Sequence, residues 1–341
     1  MQTLEIDKLG SATSPLGLGR CVQVTDGQRI PCAGDVVVVR ALGESVTYGN
    51  LELPNGRLAK VNRDDLIAGV IGKRRALKGF VGEVPQSIKG GDRLHLLNLG
   101  GVIGHCTRHH SSLSDAIEVE VVGTAVDDGG KCLNIGDKSL PVSDRLEKMP
   151  PIVVVAGTCM NSGKTVAVTE IIKQAHHAGL KVAGAKLSGV ACLRDTLNMQ
   201  DHGAESTASF LDCGLPSTVD ADDLPSVAKS ILNHLAESHP DLIVVELGDG
   251  IVGGYSVDAI LKDAELTAAF SKFVFCASDY VGVVGGLKIL EGLGIKVDVI
   301  AGSVTDSEMG EHFIEGNYSV KAGNARRDGL RLFSLLNVGK Q

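Results

Sequence analysis

The chain has 341 residues, 43% of them hydrophobic, 22% charged and only 3% aromatic, with a net charge of −8 at neutral pH. That length predicts two domains, each with its own core, and the acidic balance with so few aromatic rings argues against a nucleic-acid partner. No apolar run reaches the roughly 18 residues that span a bilayer, the start lacks the basic-then-apolar layout of a signal peptide, and eight cysteines without a C-x-x-C pair read as reduced thiols, so a cytoplasmic protein without membrane contact is expected.

Residues 1–20 read as an irregular arm. From residue 21 to 143 the runs CVQV, DVVVVRAL, RLAKV, LIAGVIG, DRLHLLNLGGVIGHC and AIEVEVVGTAV are parted by turn signals such as Pro54-Asn55-Gly56 and Asp127-Asp128-Gly129-Gly130. Strands at that spacing, with no helical period between them, predict a small all-β barrel or sandwich. Inside it, His105-Cys106 and His109-His110 carry zinc-ligand chemistry, yet adjacent strand residues face opposite ways and no second cluster completes a site. Lys73-Arg74-Arg75 and Lys78 form a basic knot that either grips an anion or is a solvated loop. Residues 144–151, DRLEKMPP, are a polar, proline-ended linker to a nucleotide-binding domain over 152–341.

That domain opens on PIVVVAGTCMNSGKTVAVTEIIKQAHHAGLKVAGAK, beginning at Pro151. An apolar strand over 152–156 leads into Gly157-Thr158-Cys159-Met160-Asn161-Ser162-Gly163-Lys164-Thr165, and a helix follows with apolar residues at 168, 171, 172, 175 and 178. A strand, a loop ending in Gly-Lys-Thr and a helix are the context of a phosphate-binding loop. Its backbone N–H groups, from Gly157 and Thr158 through Asn161, Ser162 and Gly163, converge with the helix dipole on a phosphate. Lys164 reaches the β- and γ-phosphates and the Thr165 hydroxyl is a ligand for Mg²⁺. The first glycine of the usual template stands one position early, at 157 in place of 158.

Strands are then predicted near 180–186, 242–246, 273–277 and 296–301, with a short one at 217–219. Helices are predicted near 204–212, 223–237, 256–270, 282–293, 306–314 and 324–336. The alternation implies a mostly parallel sheet with helices on both faces and a ligand site at the carboxyl ends of its strands. Glu246 ends the apolar strand LIVVE beside Gly248-Asp249-Gly250, where a carboxylate is placed to anchor a hard cation. Asp249 reads as a ligand, a base or a turn former. Arg326, Arg327 and Arg331 in the tail read as a solvated helix face.

GTCMNSGKT, the following VAGAKLSG, and more thinly LIVVELGDG and the stretch 273–302 resemble dethiobiotin synthetase and its relatives. The resemblance covers residues 151–302 and implies ATP and Mg²⁺ as cofactors. It implies that Lys186 is a second active-site cation beside Lys164, that Glu246 is a metal ligand, and that an aspartate ahead of the next helix is another. Asp195 and Asp201 are the candidates, with Asp201 preferred for standing just before a predicted helix. The adenine-reading Asn of that family is replaced by Gly302-Ser303-Val304-Thr305, which leaves the base open. The expected reaction is hydrolysis of ATP or ligase-like transfer of its γ-phosphoryl group to a carboxylate or carbamate of a small anionic substrate, with a homodimer left open. The alternatives are a kinase acting on a hydroxyl and a non-catalytic, nucleotide-dependent assembly protein.

Overall fold

The computed structural model of the protein describes residues 1–338 and divides into two compact units. The first holds Met1–Leu140 with Val190–Arg194 and Phe210–Val219; the second holds Pro141–Gly189, Asp195–Ser209 and the chain from Asp220.

The first unit contains β1 (Gln2–Glu5), β2 (Lys8–Leu9), β3 (Cys21–Thr25), β4 (Val36–Ala41), β5 (Asn50–Glu52), β6 (Leu58–Lys60), β7 (Leu66–Ile71), β8 (Arg74–Arg75), β9 (Phe80–Glu83), β10 (Arg93–Leu96), β11 (Val102–His109) and β12 (Glu118–Val126). β12 pairs with β4, β4 with β7, β7 with β11, β11 with β10, and β10 with β12 again. The circuit returns to its start, so these five strands close a barrel and leave no edge among themselves. Val37 and Val39, Ile67 and Ile71, Leu94 and Leu96, Val119 and Val121 share one apolar core, the alternate positions that a strand turns to one face. Residues 1–20, expected to be irregular, are ordered: β1 runs antiparallel to β3 from Gln2↔Val24 to Glu5↔Cys21, and a 3₁₀ turn covers Ser11–Leu16. A four-residue strand is too short to declare its period; its partner supplies the order.

From Ile152 the chain runs through β13 (Ile152–Gly157), α1 (Lys164–His177), β14 (Val182–Ser188), α2 (Arg194–Asp201), β15 (Ala204–Ser209), α3 (Leu224–Ala236), β16 (Leu242–Leu247), α4 (Val257–Lys262), α5 (Ala264–Ala269), β17 (Phe270–Cys276), α6 (Tyr280–Gly292), β18 (Val299–Ala301), α7 (Glu308–Asn317), β19 (Lys321–Ala322) and α8 (Gly329–Leu336). The seven strands form one sheet in the order β15-β14-β16-β13-β17-β18-β19, every pair parallel. β13 is central and buried along its whole length, hence its unbroken apolar sequence. Val153 and Val155 meet Val168, Ile171 and Ile172 of α1 and Leu332 and Leu336 of α8 in one core. Among the described residues no helix is long and apolar enough to cross a membrane.

The predicted helix at 204–212 is instead β15. The helix of this connection is α2, which ends at Asp201 and is followed by a turn at Gly203, a residue with φ of 104° in the glycine-favouring left-handed region. Beyond it the open edge of β14 takes a parallel strand, from Val182↔Ala204 to Lys186↔Ser209. The predicted helix at 256–270 breaks in two at Asp263, whose side chain accepts from the Leu266 N–H at 2.8 Å and caps α5. Ser217, expected in a short strand, makes only an isolated bridge to Val190.

Candidate functional site

In a parallel sheet the carboxyl ends of all strands open on one rim. β13 delivers Gly157 to that rim, and the chain turns through residues 158–163 into α1, whose first residue is Lys164. Asn161 and Gly163 make the turn with φ of 63° and 101°. A Cβ on Gly163 would lie 2.9 Å from Gly302 Cα, so both space and backbone conformation require glycine there. The early glycine also has a reason. A Cβ at 157 would meet Ser162 Oγ at 2.5 Å and Cys276 O at 2.7 Å, so the loop folds back over Gly157 itself. Thr158 N–H donates to Cys276 O at 3.0 Å, and Ile251 N–H donates to Gly157 O at 2.9 Å, which fixes the loop to the neighbouring strand ends.

Lys164 is 5% exposed, and its Nζ donates to the Cys159 carbonyl at 2.8 Å. Burial pushes this ammonium below its ordinary range, against the pull of the Glu246 carboxylate. Glu246 is the penultimate residue of β16, between β13 and β14, in register with Val155 and Lys186. The Thr165 hydroxyl donates to Glu246 Oε1 at 3.0 Å, whereas Oε2 is buried without a hydrogen-bond partner. A buried carboxylate oxygen left unpaired beside a threonine hydroxyl and a helix N-terminus is a half-built site for a hard cation. Thr165 and Glu246 therefore fit Mg²⁺ held jointly with phosphate oxygens. Among the described residues no group of three or more His, Cys, Asp or Glu is gathered to hold a metal by itself. His109, one of the zinc candidates, stands 3.1 Å from Asp115.

The structure brings Lys186 and Asp195 together in a close, largely buried ion pair. Asp201 goes elsewhere. It is the exposed last residue of α2, and three residues later the chain enters β15 opposite Val182, the first residue of β14. Asp201 thus lies at the rim opposite the phosphate loop, away from Thr165 and Glu246, whereas Asp195 pairs with Lys186. The sequence misleads because Asp201 ends one helix and is followed by a strand, not by the start of another helix. Asp249 lies on the loop after β16 with φ of 66°; burial pushes its carboxyl above the usual range, opposed by the Lys164 ammonium.

Beside the phosphate loop a cleft is lined by Asn161, Gly163, Val166, Ser303, Asp306 and Arg326, among others. Its wall is set by Asn324. The Nδ2 of this buried side chain donates to Thr305 Oγ1 at 3.1 Å and Asp306 Oδ1 at 2.9 Å, and its Oδ1 accepts the N–H groups of Arg326 and Arg327. Asn324 is spent on the wall, while Asp306 offers a half-exposed carboxylate with Arg326 Nη1 3.9 Å away. Neither Asp306 nor Asn324 stands out in the sequence. Their signal is only that both follow the short strands β18 and β19, whose carboxyl ends reach the ligand rim.

Taken together, the strand, phosphate loop and helix in a parallel sheet define a P-loop NTPase fold, with an all-β unit ahead of it in the sequence. No protein-family model matches the sequence, and no curated protein does. Solved structures similar to the chain include the signal recognition particle receptor FtsY of Elizabethkingia anophelis in complex with GDP, at 13% identity and a TM-score of 0.38 over 58% of this chain and 67% of that one. The signal recognition particle 54 kDa protein of Aeropyrum pernix, also in complex with GDP, is similar at 16% identity and a TM-score of 0.38, over 59% of this chain and 51% of that one. The cell division protein FtsY of Thermotoga maritima is similar at 14% identity and a TM-score of 0.39, over 60% and 72%.

The expected ATP-dependent ligase-like transfer and the alternative hydroxyl kinase are corrected at this point. The similar structures are named as signal recognition particle and cell division proteins, two of them with GDP. Lys186, the second cation on which the ligase mechanism rested, is neutralised by Asp195.

Proposed function

We propose that the protein is a Mg²⁺-dependent nucleoside triphosphatase that prefers a guanine base. The observation that carries this reading is the Thr165–Glu246 pair with its unpartnered Oε2, beside the buried Lys164 at the N-terminus of α1. The loop N–H groups and the helix dipole hold the β-phosphate, and Lys164 leaves the Cys159 carbonyl for the phosphate oxygens. Thr165 and Glu246 hold Mg²⁺, which neutralises charge on the β- and γ-phosphates when bound. Asp195 keeps Lys186 directed along the rim. From dethiobiotin synthetase only the phosphate loop with Glu246 carries over.

Guanine is favoured by Asp306. A carboxylate only accepts hydrogen bonds, and the N1–H and exocyclic amine of guanine are two adjacent donors, whereas adenine offers an acceptor at N1. Binding of Mg·GTP and Mg·ATP and phosphate release from each should be measured on the wild type and on Lys164→Ala. The expected result is Mg²⁺-dependent turnover that Lys164→Ala abolishes while its circular dichroism stays native. GTP should bind tighter than ATP by about tenfold or more, the worth of one charge-assisted hydrogen bond. Absence of Mg²⁺-dependent binding for either nucleotide would remove the triphosphatase reading; equal binding of both would remove only the role of Asp306.

A further inference from the structure

Burial divides the basic knot of the first unit. Lys78 is exposed and Arg75 pairs with Glu83 at 3.2 Å, but Arg74 is only 3% exposed. Its Nη1 donates to the Leu97 carbonyl and its Nη2 to the Tyr48 hydroxyl at 3.1 Å. The guanidinium carbon lies 4.8 Å from the centroid of the Tyr48 ring and 5.9 Å from that of Phe80. Nε is buried with no partner, and among the described residues no carboxylate pairs with Arg74. Arginine is rarely buried without a counter-ion. Two ring faces and one carbonyl return only part of what a guanidinium loses on leaving water.

The unfilled donor is the Nε–H, and on the same edge of the fork Nη2 is spent on the neutral Tyr48 hydroxyl. That edge of the fork meets both oxygens of one carboxylate. Tyr48 engages Nη2 from the loop over residues 42–49, whose Val46 is fully exposed. The tyrosine has φ of 58°, in a region that bulky residues rarely occupy and that marks a backbone held under strain.

We propose that the barrel unit carries a second ligand site, for a small carboxylate anion, in which the Nε/Nη2 edge of Arg74 binds the carboxylate and Tyr48 is a movable cover. An incoming oxygen replaces the Tyr48 hydroxyl on Nη2, the other takes the Nε–H, and Phe80 remains as the apolar wall. The site stands apart from the nucleotide reading and does not depend on it.

The test uses the full chain labelled with ¹⁵N-arginine, the Arg74 Nε–H resonance being assigned by its loss in Arg74→Lys. Succinate, inorganic phosphate and chloride are titrated in turn. Succinate is expected to shift the resonance saturably where chloride does not, and Arg74→Lys is expected to weaken succinate binding by about tenfold to a hundredfold, since lysine cannot offer the paired edge. If Arg74→Lys does not fold, arginine-selective assignment through Arg74→Gln and the wild-type titration still decide the matter. An unmoved Nε–H, or the same response to chloride, overturns the site; a saturable response to phosphate alone overturns the carboxylate assignment.

Discussion

At the scale of single residues the candidate site holds charges of unequal security. Burial pushes the Lys164 ammonium below its ordinary range, and the Glu246 carboxylate is the first of the groups that oppose this. Glu246→Gln removes the anion but keeps the shape, and a neutral amide is a poor ligand for a hard cation. The Mg²⁺ concentration for half-maximal turnover should rise by about tenfold, read from a metal titration at saturating nucleotide. An unaltered titration would leave Glu246 a packing residue. The placing of Lys164, Thr165 and Glu246 on one rim was legible in the sequence because each lies at or next to the end of an element with a strong local signature. Lys186 was legible as a strand-end lysine but not as a paired one, since Asp195 reaches it from nine residues further along the chain.

At the scale of elements, the phosphate loop depends on a second loop that the sequence does not connect to it. Gly302, after β18, has φ of 89°, and a Cβ there would run into the Ser162 carbonyl and lie 2.9 Å from the Ala277 carbonyl. Gly302→Ala should therefore cost about 1–3 kcal/mol in denaturant unfolding and weaken nucleotide binding by displacing Ser162 and Gly163. Gly285 is the control. It is exposed within α6 and a Cβ there meets nothing within 4 Å, so Gly285→Ala should stabilise by about 0.5–1 kcal/mol through helix propensity alone. Equal effects of the two substitutions would disconnect the loop after β18 from the phosphate loop. The misread β15 belongs to this scale too: AESTAS has no decisive period, and the free edge of β14 made it a strand.

At the scale of the whole molecule, the cysteines report on both units. Cys21 and Cys32 are exposed, whereas burial pushes the Cys213 thiol of the first unit and the Cys276 thiol of the second up to about 12 from 9.0. Three pH units less acidity leaves about a thousandfold less thiolate in mildly alkaline buffer. Alkylation followed by peptide mass mapping should therefore modify Cys21 and Cys32 first, and Cys213 and Cys276 at least about a thousandfold more slowly until denaturant opens the unit that holds each. Comparable native rates at all four would mean that one or both cores open readily.

The sequence by itself determined the phosphate loop, the parallel alternation around it and the all-β character of what precedes it. Those properties are written in periods and turn residues a few positions apart, where the controlling forces are local. Tertiary structure alone decided the barrel over the sandwich, because closure depends on β10 reaching both β11 and β12. It also set Asp195 and not Asp201 against Lys186, placed Asn324 beside Asp306 and left the charge of Arg74 uncompensated. Each of these is a matter of which distant side chain ends within hydrogen-bonding reach of another, and burial, which turns such proximity into energy, is a property of the folded chain and not of any segment of it.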